Sequence, residues 1–320
     1  MMAAERIVPD LMDRLPNVRG SYEPFAALAP TTWFRVGGPA EVLYTPADTE
    51  DLSTFLRGKP SDVPVTIIGL ASNLLIRDGG IPGVSIKLGR AFNTIEADGM
   101  TLRCGGSAVD ASVATTARDN GIAGLEFLTG IPGTVGGAVR MNAGAYGREI
   151  QDVLINATAM DETGALHKLT REDLGFSYRH CATPSDWVFI GAELKGIAGN
   201  AEDITKRIRE IRAEREDAQP VQSRTGGSTF ANPSEAKAWE LIDRAGCRGL
   251  IRGGAAVSEK HCNFLINTGT ATASDLEGLG DEVRRRVRDE TGIPLTWEIR
   301  RVGVTATDDN APIKRTGEAV

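Results

Sequence analysis

The chain has 320 residues, of which 41% are hydrophobic and 25% charged, with a formal net charge of −7. Such proportions belong to an ordinary globular protein with room for two or three domains, and the acidic balance argues against nucleic acid as a partner. No segment approaches the ~20 apolar residues that cross a bilayer, and the N-terminus lacks the apolar run of a secretory signal. A cytoplasmic protein without membrane partners is therefore expected. The four cysteines form no CxxC pair and the three histidines no HExxH. That pattern argues against a metal site and reads the cysteines as small core residues in a reducing compartment.

Residues up to about Gly20 read as a short amphipathic helix or loose arm, with Leu11 and Leu15 one helical turn apart. In TTWFRVGGPAEVLYTPAD (31–48) glycines and Pro39 punctuate a strand candidate at 41–45. Asp48 is placed to cap a helix running to Arg57, with Leu52, Phe55 and Leu56 inward and Gly58 ending it. VPVTIIG (63–69) has the apolar texture of a strand buried on both faces. It enters the turn LASNLLIRDGGIPG and then the strand VSIKLG, a β-α-β beginning with a small-residue loop at a strand end, where ligands commonly bind. No GxGxxG dinucleotide fingerprint follows a strand, and no GxxxxGK[ST] exists. The lone G-x-G, Gly278-Leu279-Gly280, lies in a helical pattern.

Asp98-Gly99 signals a hairpin between strands at 92–97 and 100–105. A helix follows over Val109–Asn120, and strands are predicted at 153–160, 165–169 and 187–195. Asn200 opens a strongly charged helix with Ile204, Ile208 and Ile211 on one face, expected as a solvated bridge between domains. Beyond Pro220 comes a second small-residue loop, RTGGSTFANP (224–233), with Ser234 predicted to cap a helix through Ala245. Ser274 and Glu277 suggest a capping box for a helix to Thr291. LTWEIRRVG closes a sheet, and the polar tail from Thr305 is expected to be disordered.

The densest signal is TGIPGTVGGAVRMNAGAYG (129–147), with glycines at 130, 133, 136, 137, 144 and 147. Glycine-rich turns of this kind present rows of peptide N–H groups to phosphate oxygens. Tight turns at a sheet edge would use the same residues.

Taken in order, TTWFRVGGPA, SNLL, GIPGTVGGAVRMNAGAYG, SYR, GGSTFANP and WEIRRVG resemble the landmarks of the UDP-N-acetylenolpyruvoylglucosamine reductases over about residues 31–303. That resemblance implies an α+β fold: an FAD-binding domain of the vanillyl-alcohol-oxidase type in two subdomains (31–90 and 91–199), plus a C-terminal α+β substrate-binding domain (200–303). An arm (1–30) precedes and a tail (304–320) follows. It implies non-covalent FAD, with its pyrophosphate held by Gly69, Ser72, Asn73 and Leu74 on one side and by Gly130, Gly133, Thr134, Gly136 and Gly137 on the other. Asn142, Ala143 and Gly144 would lie near the flavin. Where the family's first loop has glycine before Ser-Asn this chain has Ala71, a methyl that fits if φ stays negative.

The resemblance further implies NADPH as co-substrate, an enolpyruvyl nucleotide sugar as substrate, and a monomer. Ser228 would be the proton donor, Arg179 the arginine at the substrate carboxylate and Glu298 the acid across the site. Tyr178, Asn232 and Lys260 would touch the substrate. On local sequence alone Ser228 reads as a turn hydroxyl, Arg179 and Lys260 as surface charges, Glu298 as an edge-strand residue and Asn232 as a helix-entry residue. The passage from Tyr178 to the 220s is compact and lacks a further tyrosine, as in the family's shorter variant. Another flavin oxidoreductase would keep both loops without needing Ser228 or Arg179. A non-catalytic nucleotide-sugar binder would be colourless.

Overall fold

The structure, a computed structural model, describes residues 11–306. The expectations for the first ten residues and for the tail beyond Ala306 lie outside that range.

The first unit is built from β1 (Ser21–Ala26), β2 (Ala40–Thr45), helix α1 (Thr49–Gly58), β3 (Val65–Ile67), β4 (Leu74–Ile76) and β5 (Ile81–Ile86). Its sheet runs β1-β2-β5-β3, with β1 antiparallel to β2 and the remaining pairs parallel. Part of the expected N-terminal arm is thus an edge strand, where Pro24 is tolerated because one side of the strand carries no ladder. Asp48 caps α1 through the Asp51 N–H at 2.9 Å, as its position predicts. Asp51 itself is buried and accepts from the backbone N–H groups of Arg19, Gly20 and Ala47 and from the Tyr44 hydroxyl. β3 is half-buried, not covered on both faces, because one side opens onto the central cleft.

The second unit holds β6 (Ile95–Asp98), β7 (Thr101–Gly105), α2 (Asp110–Asp119), α3 (Val135–Arg140), β8 (Leu154–Met160), β9 (Leu166–Thr170) and β10 (Val188–Lys195). They make an antiparallel sheet in the order β9-β8-β10-β7-β6. The hairpin turns at Gly99, whose φ of +57° is the left-handed conformation that glycine adopts without penalty. Helix α4 (Ala201–Ala218) buries Ile204, Ile208 and Ile211. Ile204 and Ile208 join the core of this second unit, so α4 is a wall of it and not a solvated bridge.

The third unit comprises α5 (Ala238–Arg244), β11 (Ile251–Arg252), β12 (Ala255–Val257), β13 (Leu265–Asn267), α6 (Ala273–Thr291) and β14 (Arg300–Val302). Two predicted caps move. Ser234 does not cap α5; Asn232 Oδ1 accepts the Ala238 N–H at 2.9 Å. The capping box of α6 is Thr272 with Asp275. Glu277, freed from that role, binds Arg77 and Arg301 and joins the third unit to the first. β14 lies parallel to β4, and Phe34, Val36 and Leu75 are buried in the third unit's core, so the units are interlocked. The G-x-G of α6 is a packing device: a Cβ on Gly280 would stand 2.1 Å from the Trp297 ring, and one on Gly278 2.5 Å from Arg252 Nε.

Candidate active site

A cleft of ≈ 1020 Å³ runs between the three units. Its floor is made by two loops that leave strands or turns without using their peptide groups. Among the described residues, the N–H groups of Gly69 through Asn73 and of Gly133 and Thr134 donate to no other part of the chain. The loops face each other closely, since a Cβ on Gly69 would stand 3.2 Å from Thr134 Oγ1. Free N–H groups in two opposed loops, with glycine leaving the approach open, are what a pyrophosphate requires. The residues present therefore fit FAD, and a volume of this size also leaves room for a second ligand.

The glycines of 129–147 divide by task. Gly137 leaves space along the cleft, whereas a Cβ on Gly133 would stand 3.0 Å from the buried Asp110 carboxyl. Gly130 and Gly136 are demanded by packing, because added Cβ atoms would meet Tyr146 at 2.7 Å and Phe189 O at 2.8 Å. Gly144 makes room for the Glu149–Arg179 pair, for a Cβ there would meet Glu149 Cγ at 2.6 Å and Arg179 Nη1 at 3.2 Å. Asn142 departs from expectation. Its side chain turns inward, donating to Glu149 Oε2 and Ser177 O and accepting from the Gln151 N–H. Asn73 likewise donates to Glu298 O, tying the first loop to the third unit. Ala71 is in the left-handed region at φ +51°, so the negative φ expected there is corrected. Ser72 and Leu74 line the cleft, as do Ala143 and Gly144.

Three predicted chemical residues converge. Arg179 occupies a two-residue turn closed by mutual hydrogen bonds between Ser177 and His180, with φ at +53°. A bulky residue held in that conformation is strained, which is common where geometry serves function. Its guanidinium donates to Gly144 O at 2.9 Å and to Glu149 Oε1 at 3.1 Å, while Nε lies 3.4 Å from Glu298 Oε1. The Tyr178 ring stacks against it at 4.8 Å. Burial raises the proton affinity of Glu298, and Arg179 offsets only part of that rise. The Glu298 N–H donates to Thr229 O at 2.9 Å, so the segment bearing the acid, just before β14, is strapped to the loop bearing Ser228. Ser228 lines the same cleft, preceded by Gly227 at φ +81°. Buried Asn263 fixes that loop by bracketing both backbone groups of Phe230.

The three expected substrate contacts are not brought to the cleft walls. Asn232 is occupied at the start of α5, Lys260 Nζ donates to Glu216 O, and Tyr178 backs Arg179. Sequence reasoning missed Glu149, which lies two residues beyond the glycine-rich stretch and orients Arg179. It also missed the cations Arg140, Arg215 and Arg300, which make the cleft electropositive within an acidic chain. Arg215 sits on α4, whose charged face concealed it among solvated residues. His261 packs edge-on to Phe264 and takes no part in the cleft.

Two sheet-based units with opposed phosphate-type loops, the second also presenting an arginine, closed by a third that presents an acid and a serine, define a flavoprotein oxidoreductase. Residues 40–170 match the FAD binding domain family, and residues 219–302 match the C-terminal domain of UDP-N-acetylenolpyruvoylglucosamine reductase. The UDP-N-acetylenolpyruvoylglucosamine reductase of Parvibaculum lavamentivorans is 59% identical over 304 residues, covering 95% of this chain and 98% of that one. That of Rhodospirillum rubrum is 59% identical over 308 residues, covering 95% and 97%. The crystal structure of UDP-N-acetylenolpyruvylglucosamine reductase from Thermus caldophilus superposes with a TM-score of 0.77 at 34% identity, covering 90% of this chain and 100% of that one. This chain belongs to the UDP-N-acetylenolpyruvoylglucosamine reductase family.

Proposed function

We propose that the protein reduces the enolpyruvyl group of UDP-N-acetylglucosamine enolpyruvate to give UDP-N-acetylmuramate, a peptidoglycan precursor, with FAD as cofactor and NADPH as reductant. The observation that carries this reading is the convergence of Arg179, Glu298 and the Ser228 loop at one end of a cleft whose other part is built for a pyrophosphate.

The chemistry a bound flavin supplies is hydride transfer, with the hydride taken from NADPH. Conjugate addition places that hydride on the carbon remote from the substrate carboxylate, and negative charge then builds on the carboxylate oxygens. Arg179 is the group to meet that charge, since its planar fork pairs with a carboxylate through two hydrogen bonds. Glu149 and Gly144 O hold the guanidinium in place. Glu298, kept protonated by burial to higher pH than an ordinary carboxyl, is placed to donate to the developing enediolate. Ser228 delivers the proton to the carbon beside the carboxylate and recovers it from solvent. Tyr178 keeps Arg179 flat. Asn232 and Lys260 border the substrate unit and act only if their present partners release them.

A monomer working in the cytoplasm fits the self-contained cleft and the absence, among the described residues, of any helix long and apolar enough to span a membrane. Division into cofactor subdomains near residue 90 and a substrate domain belongs to the same reading, and α4's packing favours a boundary after that helix.

Half-reaction kinetics of Ser228→Ala test the assignment. Flavin reduction by NADPH should persist at close to the wild-type rate, while turnover of the enolpyruvyl group falls by about 10²-fold or more. Equal loss in both half-reactions would make Ser228 structural.

A further inference from the structure

Trp187 stands just before β10, half-buried, and lines the cleft. One face of its indole is covered. The His167 imidazole stacks on it with ring centres 4.5 Å apart and planes inclined by 25°. The sheet provides for that stack. Ala159 of β8 pairs with His167 on one side and with Phe189 on the other, so these three share a face. Trp187, two residues before Phe189, falls on the same face, and the small Ala159 side chain leaves room for two large rings to meet. His167 is held in its turn. Its Nε2 lies 2.7 Å from Asp161 Oδ2, and Asp161 accepts from the Thr163 N–H and hydroxyl and from the Ala165 N–H. The reaction proposed above uses none of Asp161, His167 and Trp187.

The backbone fixes where along the cleft the indole lies. At the end of α3, the Arg140 guanidinium donates to the hydroxyl and carbonyl oxygens of Thr183. At the start of α3, the position a Cβ of Gly136 would take is 2.8 Å from Phe189 O. Residues 183–189 therefore run back along the helix toward its phosphate-loop end, and Trp187 lies near that end. Arg179 is tied to Gly144, beyond the opposite end of the same helix. Beside Trp187 the cleft is lined by Gly106 and Ser107, which hydrogen-bond to Ile190 O and Phe92 O, and by Asn93.

FAD extends from its flavin through the pyrophosphate to adenosine. With phosphates at the two loops and the reacting groups beyond Gly144, adenosine is the part left for the Trp187 end. We propose that the indole face not covered by His167 is the stacking platform for the adenine ring of FAD. Asp161 and His167 are then positioning residues that keep the indole from turning. Base–aromatic stacking needs only two planar faces and is worth about tenfold or more in affinity per base. The proposal rests on the flavin reading of the cleft. NADPH also carries adenine, so the test must separate the two nucleotides.

Equilibrium dialysis of the holoenzyme against graded FAD is the first arm. Trp187→Ala should weaken FAD binding about tenfold, and Trp187→Phe, which keeps a ring, should stay within about threefold of wild type. His167→Ala should fall between them. The second arm is flavin reduction at graded NADPH. A shift in its half-saturating concentration in Trp187→Ala, with FAD affinity untouched, would assign the indole to the other nucleotide and overturn the proposal. The third arm is spectroscopic and does not depend on whether Trp187→Ala folds. In protein dialysed free of flavin, ADP should quench tryptophan emission in wild type and not in Trp187→Phe. Wild-type FAD affinity in Trp187→Ala, or an equal response to ADP in wild type and Trp187→Phe, would also overturn the proposal. A wild type that takes up no FAD would instead overturn the flavin reading.

Discussion

Glu298 has a side chain only 15% exposed, with Arg179 Nε at 3.4 Å as its charged partner. Burial outweighs that partner, so folding raises the carboxyl's proton affinity. The folded state therefore holds more proton than the unfolded one, and stability falls as pH climbs through the carboxylate range. Glu298→Gln removes that cost. Its melting temperature should exceed wild type near pH 8 and match it below about pH 4, while the oxidative half-reaction slows. A variant less stable than wild type at both ends would show that Glu298 is paired more strongly than its burial allows. At this scale the sequence was only partly legible. Serine in a turn, arginine after tyrosine and glutamate near a chain end are individually commonplace, and only their order among other landmarks singles them out. Glu149 carries no such order. Its importance comes from the group that faces it across the fold, Arg179.

Among the elements, the local signals were reliable where chemistry is local. Asp48 caps α1 and Gly99 turns the hairpin because the responsible atoms are within a few residues. They failed where a distant partner competes: Glu277 leaves the expected cap of α6 for Arg77, and Asn232 takes over the start of α5. The first cleft loop contains a similar contest. Ala71 pays for a left-handed backbone at φ +51° that glycine would adopt without strain. Ala71→Gly should stabilise the protein by about 1 kcal/mol in chemical denaturation, the relief of strain exceeding the added chain entropy. Flavin affinity should be unchanged or higher. Destabilisation would mean that the buried methyl group contributes more than its conformation costs.

Across the whole molecule, three units share one cleft because segments are exchanged between them. Phe34 and Val36 leave the first unit to pack in the third, β14 returns to pair with β4, and Glu277 ties the same two units through Arg77. Fold class and the two opposed small-residue loops follow from patterns along the chain. This exchange does not, since residues that meet there are some two hundred positions apart, as Arg77 and Glu277 are. Its consequence reaches the cleft: Asn73 on the first loop donates to Glu298 O, so the cleft floor and the segment bearing Glu298 form one frame. The most direct test of that frame is anaerobic. Protein purified with its flavin is reduced with NADPH, freed of excess nucleotide and mixed with UDP-N-acetylglucosamine enolpyruvate. The yellow oxidised spectrum should return at a rate compatible with turnover and in stoichiometric yield of UDP-N-acetylmuramate. A flavin that stays bleached with that nucleotide, yet is reoxidised rapidly by oxygen, would contradict the account.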